Sequence, residues 1–405
     1  MAEMDNYRAP EMINRWRTLA LGLGGIALIV WAVGTALNPE QGLRSWLIGF
    51  VFWGGICFGS LGLLMLQYQT GGAWGVVLRR SFEAASRTWP LIVLFFVPLA
   101  IGIWTHSFSE WTHLPPDDPI MEHRGIYMTP WFWILRTAIY FAIFALMITL
   151  LNKWSLKQDS TNTIEESAGL LDRASRFSGP MLVIYALTVT FAAVDWVLTL
   201  EPHWFSTIWG LLYVIGWALT TICFNIAIMA NFIDASPMDR VLGKRHFHDL
   251  GKLMLAMVMV WAYFNFSQFL IIWAGNLPEE TTWFLTRMKG GYGWVGAALV
   301  IFHFAFPFLV LLQQDFKRRW KWLAGIACFV MFMRFVDYFW QIAPSARVTP
   351  GIETGTFYIS WLDFVAPIAI GGIWLWYYFG QLNKRAIVPF KDPFFESAIE
   401  HGHGH

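Results

Sequence analysis

The chain has 405 residues, of which 57% are hydrophobic, 18% aromatic and only 14% charged. Soluble domains carry about 25% charged residues, so a water-soluble globular fold is excluded. A formal net charge of +1 gives no electrostatic basis for binding nucleic acid, while 25 tryptophans suit aromatic belts at two membrane faces.

The first eighteen residues are polar and the helix that follows is of full length, so no cleavable signal peptide is expected. Apolar runs then recur at 18–37, 46–67, 89–105, 131–151, 181–200, 208–230, 252–273, 293–313, 321–341 and 359–380. Each approaches or exceeds the roughly 20 residues a helix needs to cross a bilayer. The fold class expected is therefore an all-α polytopic membrane protein with ten spanning helices, the third being the shortest.

Charge orients these helices. Counted over alternate segments from the N-terminus, Lys and Arg number 21, against five (Arg44, Arg124, Arg287, Lys289, Arg347) in the intervening set. The positive-inside rule then places both termini in the cytoplasm. Within 74–87, Trp74, Val77, Leu78, Phe82 and Ala85 lie opposite Arg79, Arg80, Glu83 and Arg87, the pattern of an amphipathic helix at the cytoplasmic interface. The segment 106–130 reads as an acidic, proline-rich outer loop, and 152–179 as a polar cytoplasmic loop. The tail 383–405 is short, and its His401, His403 and His405 could bind metal adventitiously.

The most informative stretch is DWVLTLEPHWFS, 195–206, which places an acid inside a lipid-compatible run. Pro202 disfavours helical geometry at Glu201, so a helix should end there, roughly 9 Å along its axis from Asp195. A carboxylate at membrane depth costs at least about 2.5–3.5 kcal/mol and usually marks function. The alternative is a shallow helix end with Asp195 satisfied by a neighbouring Arg or Asn. Glu201 and His203 belong to the mouth.

Arg136, Asp195, Arg334, Asp337 and Asp363 share the outer half of the membrane but come from different helices, with His303 deeper. Common depth is what a polar pocket, a proton route or a quinol site open to the outside would need. Equally, each Arg could neutralise one Asp in a structural network; Arg334 and Asp337, three residues apart, share a helical face. Pro307 and Pro367 free the carbonyls of His303 and Asp363, a further opening for water or a relay. On the cytoplasmic side His246, His248, Asp249 and Lys252 enter the seventh helix, where a solvated face and helix cap is the plainer reading.

Cofactor motifs are lacking. Cys57, Cys223 and Cys328 stand singly, with no C-x-x-C or C-x-x-C-H, so iron–sulfur ligation and attached haem c are not supported. A b-type haem needs facing membrane histidines, and only His303 lies mid-membrane. No Walker motif or nucleophilic triad occurs.

The stretches DWVLTLEPHWFSTIWG (195–210) and HDLGKLMLAMVMVWAYFNFSQFLIIWAGNLPEE (248–280) resemble the NrfD/polysulfide-reductase family of membrane anchors. Within it they are most similar to the second NrfD-like subunit of bacterial alternative complex III, a quinol:cytochrome c oxidoreductase of the inner membrane. The resemblance implies one integral membrane domain over 1–405, with an eight-helix NrfD-like core at 46–341, flanking helices 18–37 and 359–380, and the tail 383–405. It also implies that electrons from menaquinol or ubiquinol pass to iron–sulfur clusters and c-type haems on partner subunits. Those partners are an NrfD-like C subunit that carries the better-supported quinol site, an iron–sulfur subunit, multihaem cytochrome c subunits and a terminal oxidase. This chain would then scaffold the assembly and conduct protons without a redox group of its own. The competing readings are a quinol-binding subunit in its own right and a stand-alone secondary transporter.

The charge asymmetry generates a topology test. Single cysteines placed in 275–290 are expected to react with an impermeant thiol reagent from the periplasmic side, and those in 155–170 to be protected. The reverse labelling pattern would invert every depth assigned above.

Overall fold

The computed structural model describes residues 7–107, 109–115, 117–345 and 356–404. Among them no strand occurs, and ten helices are long and apolar enough to cross a membrane. These are α1 (Met12–Leu37), α2 (Pro39–Thr70), α3 (Trp89–Trp104), α4 (Pro130–Gln158), α5 (Ile164–Trp196), α6 (Trp209–Phe232), α7 (Lys244–Gly275), α8 (Tyr292–Leu312), α9 (Trp320–Ile342) and α10 (Leu362–Leu382). The fold is that of an all-α polytopic membrane protein. Residues 346–355, which include Arg347, and His405 lie outside the described residues.

Several helices run beyond their apolar runs. α5 begins at Ile164, seventeen residues ahead of the run at 181, because Thr163 caps it: its Oγ1 accepts from Glu166 N at 3.2 Å. Glu165 and Glu166 then sit in the first turn, where carboxylates favour the helix dipole. The polar stretch read as a loop is therefore mostly helix. α8 carries a π-helical segment at Leu299–Ala305 immediately before Pro307. Proline removes a donor and crowds the carbonyl four residues earlier, and the wider turn takes up that misfit.

α2 is the axis of the bundle, with 89% of its apolar window buried, and α6 follows with 72%. α1, α7 and α8, each 22% buried, lie on the periphery and turn most of their apolar surface outward. Exposed Leu23, Ile29, Phe266, Ile271, Val300 and Leu309 are therefore lipid-facing rather than misplaced core. Where α1 crosses α10, a Cβ added at Gly24 would lie 2.7 Å from Ile373 N. Only glycine permits that backbone approach.

Both described terminal segments meet at one face, hereafter the terminal face, where Ile387 N donates to Tyr7 O at 2.8 Å. There the structure corrects the interfacial reading of 74–87. The helix Ala73–Ser86 is buried on both sides, with Arg79 and Arg80 1% exposed and Glu83 fully buried. Its charged side does not meet water because the C-terminal segment covers it. Arg79 pairs with Asp392, and Arg80 with Asp159. Arg80 Nη1 donates to Glu83 Oε2 and to Ser155 Oγ, both at 2.9 Å, and Arg385 approaches Glu83 at 3.7 Å. Arg87 donates to Asn152 Oδ1 at 2.9 Å and to the Gln381 carbonyl at 2.8 Å. The tail is thus a packed cap whose helix Phe395–His403 buries Phe395 and Ala398.

Removing one partner of a buried ion pair leaves the other charge uncompensated, at a cost of about 3–5 kcal/mol. Arg79→Ala is expected to lower the melting temperature of the detergent-solubilised protein markedly, and Asp392→Ala to match it. Substitution of exposed Arg176, which pairs with Asp172 in water, should change it little.

Candidate functional site

The residues expected to share one outer pocket are divided by the structure into three sets. The first joins α4 to α5. Arg136 donates to Asp195 twice, from Nε to Oδ2 at 2.8 Å and from Nη2 to Oδ1 at 2.9 Å. Tyr127 Oη adds a bond to Oδ1 and Tyr140 Oη one to Oδ2, both at 2.7 Å. The guanidinium also lies over the rings of Tyr127, at 3.6 Å, and Phe132, at 4.7 Å. Asp195 has no basic neighbour within a turn of its own helix. Across the helix interface it has one, and four donors occupy its carboxylate. This geometry suits a structural clamp between α4 and α5 whose carboxylate is already saturated with donors.

Asp363 forms the second set. Its Oδ1 accepts from Ser45 Oγ at 2.6 Å and Gln41 Nε2 at 2.9 Å, and its Oδ2 accepts from Ser360 N at 2.8 Å. These bonds close the start of α10 onto α2. The carbonyl of Pro367 accepts from Trp53 Nε1 at 2.9 Å.

The third set runs inward from the face opposite the termini. Glu201 Oε1 accepts from Arg287 Nη1 at 2.7 Å. Arg287 Nη2 donates to the Gln341 carbonyl at 2.6 Å, and the Gln341 side chain accepts from Tyr213 Oη at 2.9 Å. Gln341 Nε2 donates to Asp337 Oδ1 at 3.1 Å, while Asp337 Oδ2 pairs with Arg334 and accepts from Trp261 Nε1 at 3.1 Å. Gly216 makes room for this pair, since a Cβ there would overlap Arg334 Nη2. Beside it the Trp261 ring lies 3.9 Å from the imidazole of His303, centroid to centroid, at 30°. His303 is fully buried, and neither ring nitrogen has a hydrogen-bond partner. A buried imidazole without a partner forfeits about 1–3 kcal/mol per lost bond, so its presence in the core calls for a role. Glu201 is the mouth of this set; His203 is exposed and 3.7 Å from Asp118.

Asn265 Nδ2 bonds its own helix at the Trp261 carbonyl, at 2.9 Å, and Gln268 leaves its buried Oε1 unpartnered on the same helix. At the terminal face, His246 Nδ1 accepts from Gly243 N at 3.1 Å and caps α7, while its Nε2 meets the Ala398 carbonyl at 2.9 Å. Asp249 bridges Lys252, at 3.2 Å, and His401, at 2.8 Å; His403 reaches the Arg240 carbonyl at 3.1 Å. His248 is half-buried with Nδ1 unpartnered. This cluster is a helix cap that anchors the tail. Among the described residues no group of three His, Cys, Asp or Glu side chains is arranged to hold a metal. Deeper in the same face, burial pushes the Asp159 carboxyl up to about 6 against the opposing pull of Arg80.

Sequence reasoning missed Arg287, a charge between two spans that is only 1% exposed, and Gln341, which links it to Asp337, with the Gln341 partner Tyr213. The available signal was Trp283 four residues before Arg287, on the same face; the guanidinium lies 3.8 Å from that ring.

Fold and burial together define a polytopic α-helical membrane protein with a hydrogen-bonded polar chain reaching into its core. No protein-family model matches the sequence, and no curated protein matches it.

The two carboxylates predict contrasting behaviour. Asp195→Ala would strand Arg136 at 8% exposure, and a loss of about 3–5 kcal/mol is expected, read as poor yield and a lowered melting temperature. Glu201→Gln, at the wetter end of the third set, is expected to cost no more than about 1–3 kcal/mol.

Proposed function

We propose that this chain is a membrane subunit of a bacterial quinol-oxidising respiratory complex of the alternative complex III type. In this reading it scaffolds the assembly and carries protons between the outer face and the middle of the membrane. The observation that supports the proton role is the third polar set, Glu201–Arg287–Gln341–Asp337–Arg334, ending beside the unpartnered His303. The resemblance of 195–210 and 248–280 to NrfD-like subunits supports the assembly.

Chemically, each end of that set has a distinct task. Glu201, at the mouth, meets water and its exchangeable protons. Arg334 pairs with Asp337 at rest, and displacement of the guanidinium toward Tyr338, whose ring it already overlies at 4.5 Å, would free the carboxylate to accept a proton. His303 offers an unpartnered ring nitrogen one ring away, within a π-helical turn whose loosened backbone can admit water. Menaquinol or ubiquinol oxidation, haem c and iron–sulfur clusters would belong to the partner subunits: the NrfD-like C subunit, the iron–sulfur subunit and the multihaem cytochromes, with a terminal oxidase as electron sink. The inner membrane is the corresponding location, with the terminal face cytoplasmic.

The test uses the assembled complex, purified in mild detergent and returned to vesicles. Haem and iron–sulfur subunits are expected to co-purify with this chain; a chain that purifies alone removes the respiratory reading. His303→Gln is expected to leave assembly and uncoupled quinol oxidation intact while lowering the protons moved per electron. Undiminished coupling in His303→Gln and Asp337→Asn would eliminate the proton route.

A further inference from the structure

We infer that the groove between α3 and α4 is a binding site for one anionic glycerophospholipid, its acyl chain lying along the helices and its headgroup held at the terminal face. The groove encloses about 630 Å³ and is lined almost wholly by apolar groups, among them Val93, Ala100 and Trp104 on α3 and Ala138, Ala142 and Ala145 on α4. It runs from Trp89 to Trp104, a rise of about 22 Å along α3. One leaflet contributes roughly half of a ~30 Å hydrocarbon layer. A single acyl chain therefore fits within it end to end. Its rim includes Val97 and Ile101, which are 45% and 57% exposed and face the hydrocarbon.

Charge fixes the polarity of the occupant. Lys153 lies eleven residues beyond Ala142, three full turns on, and so stands on the same face of α4, about 16 Å nearer the terminal face. Lys157 follows one turn later. Both are exposed, and neither has an ion pair among the described residues. A shallow hollow beyond Lys157 adds Arg173, with Glu166 on its wall, and leaves a net positive charge. Trp154, next to Lys153 in sequence, packs toward α5 under the Arg173 guanidinium at 5.8 Å, as interfacial tryptophans do at headgroup depth. At its other end the groove closes on Trp104 and Thr105, with no lysine or arginine in its wall. An anionic headgroup therefore has favourable partners at one end only. A transmembrane helix from another polypeptide would also cover apolar side chains, but it would gain nothing from the two lysines.

The full-length protein, delipidated in detergent, is titrated with dioleoylphosphatidylglycerol or dioleoylphosphatidylcholine and followed by native mass spectrometry. One phosphatidylglycerol is expected to bind with about thirtyfold preference over phosphatidylcholine, as two interfacial lysines at about 1 kcal/mol each predict. Ala142→Phe, which fills the groove from its lipid-facing wall, should abolish binding of both lipids without lowering the melting temperature. The double variant Lys153→Gln, Lys157→Gln should retain phosphatidylcholine binding and lose the preference. Unchanged phosphatidylglycerol binding in Ala142→Phe would overturn the site. Equal affinity of the unaltered protein for the two lipids would overturn the headgroup assignment. Efficient cross-linking of a Val97→Cys variant to another polypeptide in native membranes would overturn the lipid as occupant.

Discussion

A charge in a lipid slab needs a counter-charge, and the arrangement of this bundle follows from that requirement. Attraction between opposite charges grows as the local dielectric falls, and so does the cost of leaving either one alone. Hence Asp195 is found against Arg136, Asp337 against Arg334, and Asp392 against Arg79. Each pair bridges or braces helices that apolar packing alone would leave free to slide. Tyr127, Tyr140, Trp261 and Gln341 then fill the remaining lone pairs, so that the ions are solvated by protein.

Against that background His303, deeper than the outer carboxylates, stands out because both of its ring nitrogens are buried and unanswered. The local backbone is equally irregular, with a π segment set by Pro307. A side chain without partners and a helix with loosened hydrogen bonds occur at the same depth, next to an ion pair that reaches the opposite face through Gln341 and Arg287. The carboxylates of Asp195 and Asp363, by contrast, are well supplied with donors.

What could be read from the sequence depended on the range of the interaction. Ten spans follow from apolar runs because hydropathy is a local property, and Arg334 with Asp337 follows from a three-residue spacing. Arg136 with Asp195 does not, since 59 residues separate the partners and only the packing of α4 on α5 joins them. The helix Ala73–Ser86 shows why patterning alone misleads. An amphipathic helix has the same sequence whether its polar side meets water or a polar cap. The cap lies in a segment more than 300 residues away, too short and mixed in composition to announce a packing role. Arg287 was obscured in the same way, since a charge between two spans looks solvated until the neighbouring loops close over it.

The seating of the C-terminal segment has a consequence for how the protein is made. Arg79 leaves the ribosome 313 residues ahead of Asp392, its partner. Arg80 meets Glu83 and Asp159 early, but Arg79 has no neutralising group until Asp392 is made. Water must hydrate that guanidinium until the segment around Asp392 arrives, and only then can that face become dry. Closure of the bundle therefore waits on synthesis of the segment around Asp392: a chain stopping short of it would insert all ten spans yet keep an open, charged surface that quality-control proteases can distinguish from the closed bundle.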